Sequence, residues 1–512
     1  MSQTPFYITT PIYYVNGTPH IGTAYTTIAC DTIARFNRLD GQDVHFLTGM
    51  DEHGQKVAQS AEEHGMTPQE WCDSQVPQFK DLWRDLNITN DDFIRTTEER
   101  HTLGVQKFLQ ALYDNGYLYK DSYEGLYCTP CETFFAEDEL ADGCCPDCGR
   151  PVQAIKEDNW FFKLSEFGDK LIEYYEANPD FIRPEIRRNE VMSFVKGGMH
   201  DLSISRSTFD WGVPLPFDPE HVTYVWVDAL INYLTALGYG SDDESEFERR
   251  WPADFHFVGK DIIRFHCVIW PAMLMAAGLP LPKHVFAHGF LMAADGSKMS
   301  KSKGNALYPR DLMETYGVDA YRYYFMSDVT FGSDGNIGTD RMTQVYNADL
   351  ANSYGNLFSR VSNMTVKYFE GKVPACPAEF AENPLKEIAD ELYPKYAECL
   401  RNVDFGGATS AIMELVHRAN LYVEESAPWN LAKSEETMGE LAAVLYNTLE
   451  ACRISALLLA PFMPTISDEL YSRLGLGKAT EVTDGAAASQ WGGLPVGNEV
   501  VKGDALFPRL AK

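Results

Sequence analysis

No run of apolar residues in this chain approaches the roughly 20 needed to cross a bilayer, so no membrane segment is expected. The first residues, Met1-Ser2-Gln3-Thr4-Pro5, lack the basic and apolar regions of a secretory signal, which points to the cytoplasm. Basic charge is scarce: 43 Lys and Arg stand against 74 Asp and Glu, a net charge of -31. That balance argues against long-range attraction of a polyanion, although a local basic strip can coexist with acidic segments such as Ser241–Glu246 and Glu379–Glu391. A disulfide framework is not expected. Six of the eleven cysteines (Cys30, Cys72, Cys267, Cys376, Cys399 and Cys452) are scattered singly, as in a reducing compartment. Internal repeats are also absent.

What is present is a chain of 512 residues, 45% apolar and 23% charged, too long for one core and ordinary for a globular protein of two to four domains. Phe6–Thr10 reads as a buried strand ended by Pro11. A helix follows from about His20 to Leu39, with apolar positions Ile21, Ala24, Ile28, Ile33 and Phe36 and a stop at Gly41. Asp43–Thr48 reads as a second strand, breaking at Gly49 before Asp51-Glu52-His53-Gly54. Strand, helix and strand at this spacing predict a parallel sheet with a right-handed crossover, whose ligands bind at the carboxyl ends of the strands. Between about Tyr117 and Val222 the pattern breaks into short aromatic segments and turns, read as an insertion. The sheet is expected to resume at Val222–Val227 and Asp254–Gly259, followed by His284–His288. From about Asp349 the period is helical, for example Leu350–Phe369, Phe405–Glu424 and Met438–Leu459, and Thr480–Gly503 reads as a loop.

Three stretches carry chemistry. Pro19-His20-Ile21-Gly22 lies where a strand hands over to a helix. A helix N-terminus offers unpaired amides to a phosphate, Gly22 allows close approach, and the His20 imidazole can stabilise oxygens on a phosphorus under attack. The alternative is that His20 only caps the helix. Asp295–Asn305 is a Ser- and Gly-rich loop that sets Lys298 and Lys301 three apart, suited to neutralising a departing polyphosphate. Finally, Cys128-x2-Cys131 and Cys145-x2-Cys148 form two knuckles that can fold onto one tetrahedral metal. Four thiolates without an open position predict a structural zinc ion, with Cys144 as a possible substitute for Cys145.

The Lys298-Met299-Ser300-Lys301-Ser302 loop and His20-Ile21-Gly22 resemble the two signatures of class I aminoacyl-tRNA synthetases. One departure is Thr23, where the family's first signature has a second histidine. Thr10–Gly17, the Cys128–Cys148 cluster, Asp201–Arg206, Tyr224–Ala229 and Gly259–Ile262 resemble the methionyl-tRNA synthetase family, and that likeness spans essentially the whole chain. The resemblance implies an α/β fold: a Rossmann-type parallel-sheet catalytic domain with a zinc-knuckle insertion, followed by an all-α helical-bundle anticodon-binding domain. The corresponding ranges are 1–116 and 223–294 for the two catalytic halves, 117–222 for the insertion, 295–348 for the lysine loop and stem-contact region, and 349–512 for the bundle.

The resemblance further implies activation of L-methionine with ATP and transfer to initiator and elongator tRNA(Met). His20, Thr23, Lys298 and Lys301 would be catalytic. Gly22, Gly259, Asp261, Met299, Ser300 and Ser302 would join them around ATP and its Mg2+. Methionine would lie among Ile12, Tyr14, Trp226, Ala229, Tyr233, Phe265 and His266, its ammonium on Asp51. Leu230 stands where some relatives carry proline. A thioether suits aromatic walls and a carboxylate suits an ammonium, although core packing would also account for Trp226 and Tyr233. Asn356, Arg360, Pro428 and Trp429 match the anticodon-reading positions, where stacking plus edge hydrogen bonds recognise unpaired bases. The plainer alternative there is a packing tryptophan and a surface arginine.

The rival readings are another class I synthetase, a non-catalytic tRNA-binding paralogue and a nucleotidyltransferase. The insertion is too short for the editing domain of branched-chain enzymes. The retained lysines, His20 and Asp51 argue against lost chemistry, and a nucleotidyltransferase has no use for the Asn356–Arg360 helix. A monomer is expected, because dimerising relatives often carry an additional C-terminal RNA-binding domain.

Overall fold

The computed structural model describes residues 4–15, 17–128, 133–135, 140–146, 148–299 and 305–511. Of the expected site residues, Cys131, Ser300, Lys301 and Ser302 lie outside this set.

The central sheet has seven strands: β1 (Pro5–Thr9), β2 (Tyr13–Tyr14), β3 (Asp43–Asp51), β4 (Asp92–Arg95), β5 (Ile182–Arg183), β6 (Phe255–Gly259) and β7 (His284–His288). Their order is β2-β3-β1-β6-β7-β5, with β4 also on β3, and every pairing is parallel. Helix α1 (Ile21–Leu39) makes the first crossover and buries Ile21, Ala24, Ile28, Ile33 and Phe36 against the sheet. It ends before Gly41, whose φ of 80° suits glycine.

Two elements differ from the sequence expectation. Gly49 does not break β3, which runs on to Asp51. A Cβ at Gly49 would meet the Ile94 carbonyl at 2.2 Å, so glycine is there to let β4 pack close. Val222–Val227 is not a strand of the parallel sheet either. Asp218–Thr223 joins a separate three-stranded antiparallel sheet, and Val225–Thr235 is a helix, α2. An apolar run this short has no period that separates strand from helix. The helical spacing becomes visible only in the longer set Trp226, Ala229, Leu230 and Tyr233, at i, i+3, i+4 and i+7.

The insertion is built on Leu118–Cys128 paired antiparallel with Gln153–Phe162, and within its range Ile182–Arg183 returns to the edge of the central sheet. Beyond the lysine loop, helix α3 (Val318–Ser327) leads to a π-helical turn at Tyr346–Gly355 and a bundle of helices. These are α4 (Asn356–Phe369), α5 (Pro384–Arg401), α6 (Phe405–Ser426) and α7 (Met438–Leu459). The acidic stretch around Glu387 proves to be part of α5, capped by Asn383, whose Oδ1 accepts the Leu385 and Lys386 amides. Among the described residues one segment, Glu435–Leu459, is long and apolar enough by composition to span a membrane, contrary to the expectation that none is. Its Leu441–Leu459 part lies buried inside the bundle.

Candidate active site

A cleft of about 390 Å³ opens at the carboxyl ends of β1, β3 and β6. Its lining includes residues from both ends of the expected substrate path. His20, Gly22, Thr23, Gly259 and Asp261, expected around the nucleotide, line the same cleft as Ile12, Tyr14, Asp51, Trp226, Ala229 and Tyr233, expected around the amino acid.

His20 is the N-cap of α1. Its Nδ1 accepts the amides of Gly22 at 3.1 Å and Thr23 at 3.3 Å, so two of the amides expected to be open to a phosphate are occupied by the imidazole. Capping and catalysis are therefore not alternatives. An acceptor Nδ1 leaves the proton on Nε2, and the ring presents an N–H donor to the cleft. Desolvation pulls the His20 pKa below its ordinary value, partly opposed by Asp261, so the ring is neutral near pH 7 and still donates. A Cβ at Gly22 would lie 3.0 Å from the folded-back imidazole, which is the local reason for glycine. In the same cleft, a Cβ at Gly259 would meet Asp261 Oδ1 at 2.4 Å.

The lysine loop starts from the same place. Leu291 and Phe290 line the cleft, Met292 bridges Lys298, and the Lys298 Nζ sits 5.9 Å from the Phe290 ring centroid. Asn305 Nδ2 donates to Ser297 Oγ at 3.1 Å and to the Lys298 carbonyl, closing the base of the loop. Met299 packs against the neighbouring core.

At the other end, Tyr14 and Asp51 are partners in the β2–β3 pairing, and Asp51 is buried. Helix α2 supplies Trp226, Ala229, Leu230 and Tyr233 as a wall. Phe265 does not line the cleft; it stacks on Trp226 at 4.1 Å with 17° between planes. His266 Nδ1 donates to the Ile262 carbonyl at 3.1 Å, so its Nε2 accepts the Tyr233 hydroxyl at 2.7 Å. Burial lowers the His266 pKa to about 4, against the opposing Ile262 hydrogen bond, and the pocket wall is uncharged.

His288, which sequence reasoning assigned no role, also lines the cleft. Its Nδ1 donates to the Gly289 carbonyl at 2.8 Å and its Nε2 accepts Thr26 Oγ1 at 2.7 Å, tying β7 to α1. A histidine at a strand end has no motif to reveal it.

In the insertion, the Sγ atoms of Cys128, Cys145 and Cys148 lie within 4.8 Å of one another, with Cys128 and Cys148 3.6 Å apart. Thiolates around zinc at about 2.3 Å span tetrahedral edges of about 3.8 Å, so three of the four expected ligands fit that ion. Cys144 is not among the three; its backbone instead bridges Ala141 and Pro151.

Far along the chain, Asn356 and Arg360 share one face of α4, and Arg360 Nη1 pairs with Glu424 Oε1 at 2.7 Å. That contact brings α4 to the end of α6, where Pro428 is buried and Trp429 is exposed at 42%.

A family model described as "tRNA synthetases class I (M)" matches residues 6–155 and 150–362, and one described as "Anticodon binding domain of methionyl tRNA ligase" matches 373–512. The chain belongs to the methionyl-tRNA synthetase family. Within that family, a methionine--tRNA ligase of Caldanaerobacter subterraneus is 51% identical over 506 residues, covering 99% of this chain and 79% of the relative. The Streptomyces coelicolor methionine--tRNA ligase is 50% identical over 527 residues, covering 99% and 96%. Among solved structures, Mycobacterium tuberculosis methionyl-tRNA synthetase in complex with methionyl-adenylate superposes with a TM-score of 0.94. It is 44% identical and covers 99% of this chain and 100% of that one. The class I synthetase fold, parallel sheet first and helical bundle after, is thereby established.

Proposed function

We infer that this chain is a methionine–tRNA ligase. It activates L-methionine with ATP to methionyl-adenylate and pyrophosphate, then transfers the methionyl group to the 3'-terminal adenosine of tRNA(Met). The observation that carries the reading is the single cleft shared by His20 and Asp51, in a chain half identical to methionine–tRNA ligases.

In the first step a methionine carboxylate oxygen bonds to the α-phosphorus of ATP, and the bond to the β-phosphate oxygen breaks with its electron pair leaving on pyrophosphate. A terminal ribose hydroxyl then attacks the methionyl carbonyl and AMP departs. No side-chain nucleophile is required, so positioning and charge stabilisation supply the rate. Asp51 holds the substrate ammonium, and the wall of Trp226, Ala229 and Tyr233, backed by Phe265 and His266, receives the thioether. Tyr14 and Ile12 close that end. His20 Nε2 donates to the phosphate, with Thr23 beside it offering a neutral hydroxyl where the family signature has a second histidine. Gly22, Gly259 and Asp261 shape the nucleotide end. Lys298 and Lys301 neutralise the leaving pyrophosphate, with Met299, Ser300 and Ser302 completing the loop. Magnesium bound with ATP adds charge neutralisation on its phosphates. Cys128, Cys131, Cys145 and Cys148 hold one structural zinc. Asn356, Arg360, Pro428 and Trp429 read the anticodon of initiator and elongator tRNA in the cytoplasm.

Pyrophosphate exchange into ATP, run separately with each amino acid, tests this. Exchange that depends on methionine is expected. Exchange with valine, isoleucine, leucine or cysteine but not methionine, or with none, contradicts it.

A further inference from the structure

Behind the ammonium end of the cleft stands a buried polar junction that the reading above does not use. Asp228 lies on α2, two residues after Trp226 and one before Ala229, with its side chain wholly buried. Its Oδ2 accepts His53 Nδ1 at 2.6 Å and its Oδ1 accepts His101 Nε2 at 3.0 Å. The other nitrogen of His101 meets the Thr235 hydroxyl at 2.9 Å, one helical stretch further along α2. A carboxylate can only accept, so both imidazoles donate to it. Burial by itself would raise the Asp228 pKa, but the two histidines overcome this and hold it down at about 2.

The junction joins three segments: the turn after β3, helix Glu99–Asp114 and α2. His53 follows Asp51 by two residues, and Glu52 between them is separately anchored. The Glu52 carboxylate accepts Arg95 Nε at 2.7 Å, its amide donates to Thr96 Oγ1 at 3.0 Å, and its carbonyl accepts Trp211 Nε1 at 2.6 Å. Asp51 is thus held on a segment pinned at each following residue. The only one of these pins that reaches the helix carrying the pocket wall is His53 to Asp228. Apolar packing would join two elements with less desolvation, whereas a polar junction specifies a single register between them.

We propose that Asp228, clamped by His53 and His101, is the positioning residue for amino-acid recognition, setting how far Asp51 stands from the aromatic wall of α2. The inference rests on Asp51 and α2 forming the methionine subsite. By this account the span between carboxylate and wall, rather than the wall alone, selects a side chain of methionine's length.

The test is methionine- and ATP-dependent pyrophosphate exchange with Asp228→Asn, His53→Ala and His53→Gln in the full chain. Asparagine keeps the shape but sets an amide N–H₂ against one imidazole N–H. The Michaelis constant for methionine is expected to rise on the order of tenfold to a hundredfold in Asp228→Asn, with that for ATP within about twofold of the unaltered protein. His53→Ala should show the same split, and His53→Gln, which restores an N–H donor, should recover part of it. A methionine constant unchanged in Asp228→Asn, or rising in parallel with that for ATP, overturns the proposal. If Asp228→Asn fails to fold, the two His53 variants decide, and equal constants in them overturn it. Absence of methionine-dependent exchange in the unaltered protein would instead remove the underlying subsite reading.

Discussion

His20 illustrates how a side chain that caps a helix can keep a donor to spare. The Gly22 and Thr23 amides hold its Nδ1, which fixes the tautomer and turns the Nε2 proton towards the cleft. Because desolvation lowers its pKa, the neutral ring predominates above the ordinary histidine value, and the donor it offers does not depend on protonation. The rate of adenylate formation in single turnovers is therefore expected to stay level as pH rises from about 6.5 to 8, as far as His20 is concerned. A rate that falls through that window, and loses the fall in His20→Asn, would show that the imidazolium is the active form. Replacing His20 by Ala should slow the step by about 10²–10³-fold, the usual cost of one oxyanion donor. That His20 stands where a strand hands over to a helix was legible in the sequence, since the pattern is local to a few adjacent residues. His288, Asp228 and His53 were not, because each matters through a partner more than 170 positions away.

At the scale of elements, the parallel strands were legible wherever a short apolar run had turn residues on both sides, as at β1, β6 and β7. Helix α2 was misread for want of that punctuation. Val222 to Val227 passes from an antiparallel strand into a helix without a Gly or Pro between them. Gly49 failed in the opposite sense: a residue that usually stops a strand here permits one. The cysteine knuckles were legible because metal-ligand spacing is itself a local pattern, and the structure singles out Cys145 from its neighbour Cys144. Substituting Ser for Cys128 or Cys148 should release about one zinc per chain, measured by metal analysis of the purified protein, and loosen the insertion to proteolysis. Unchanged metal content in both variants would refute the four-thiolate centre.

At the scale of the molecule, a buried guanidinium is one of the contacts that join the parallel sheet to the helical bundle, beside Tyr393 and Arg401 on Asp40 and the Phe36 ring against Tyr396. Arg322 on α3 donates to Asp31 of α1 at 2.6 Å, to the carbonyls of Pro461 and Phe462 just beyond α7, and to the Leu86 carbonyl. Burial by itself would raise the Asp31 pKa, but Arg35 and Arg322 hold it well below the usual carboxylate range. Removing one partner of such a buried pair leaves the rest unsatisfied, so Arg322→Leu is expected to destabilise the protein by about 3–5 kcal/mol in denaturant unfolding. A change under about 1 kcal/mol would mean that the join does not depend on this contact.

Methionine's ammonium on the Asp51 side and the nucleotide's phosphate on the His20 side of one cleft is the claim from which the rest follows. A crystal structure with a non-hydrolysable methionyl-adenylate analogue tests it most directly. The ammonium is expected against Asp51, the thioether against Trp226 and Tyr233, and the phosphate surrogate within hydrogen-bond reach of His20 Nε2. An analogue bound with its amino acid end away from α2, or with its phosphate surrogate out of reach of His20, would contradict the account.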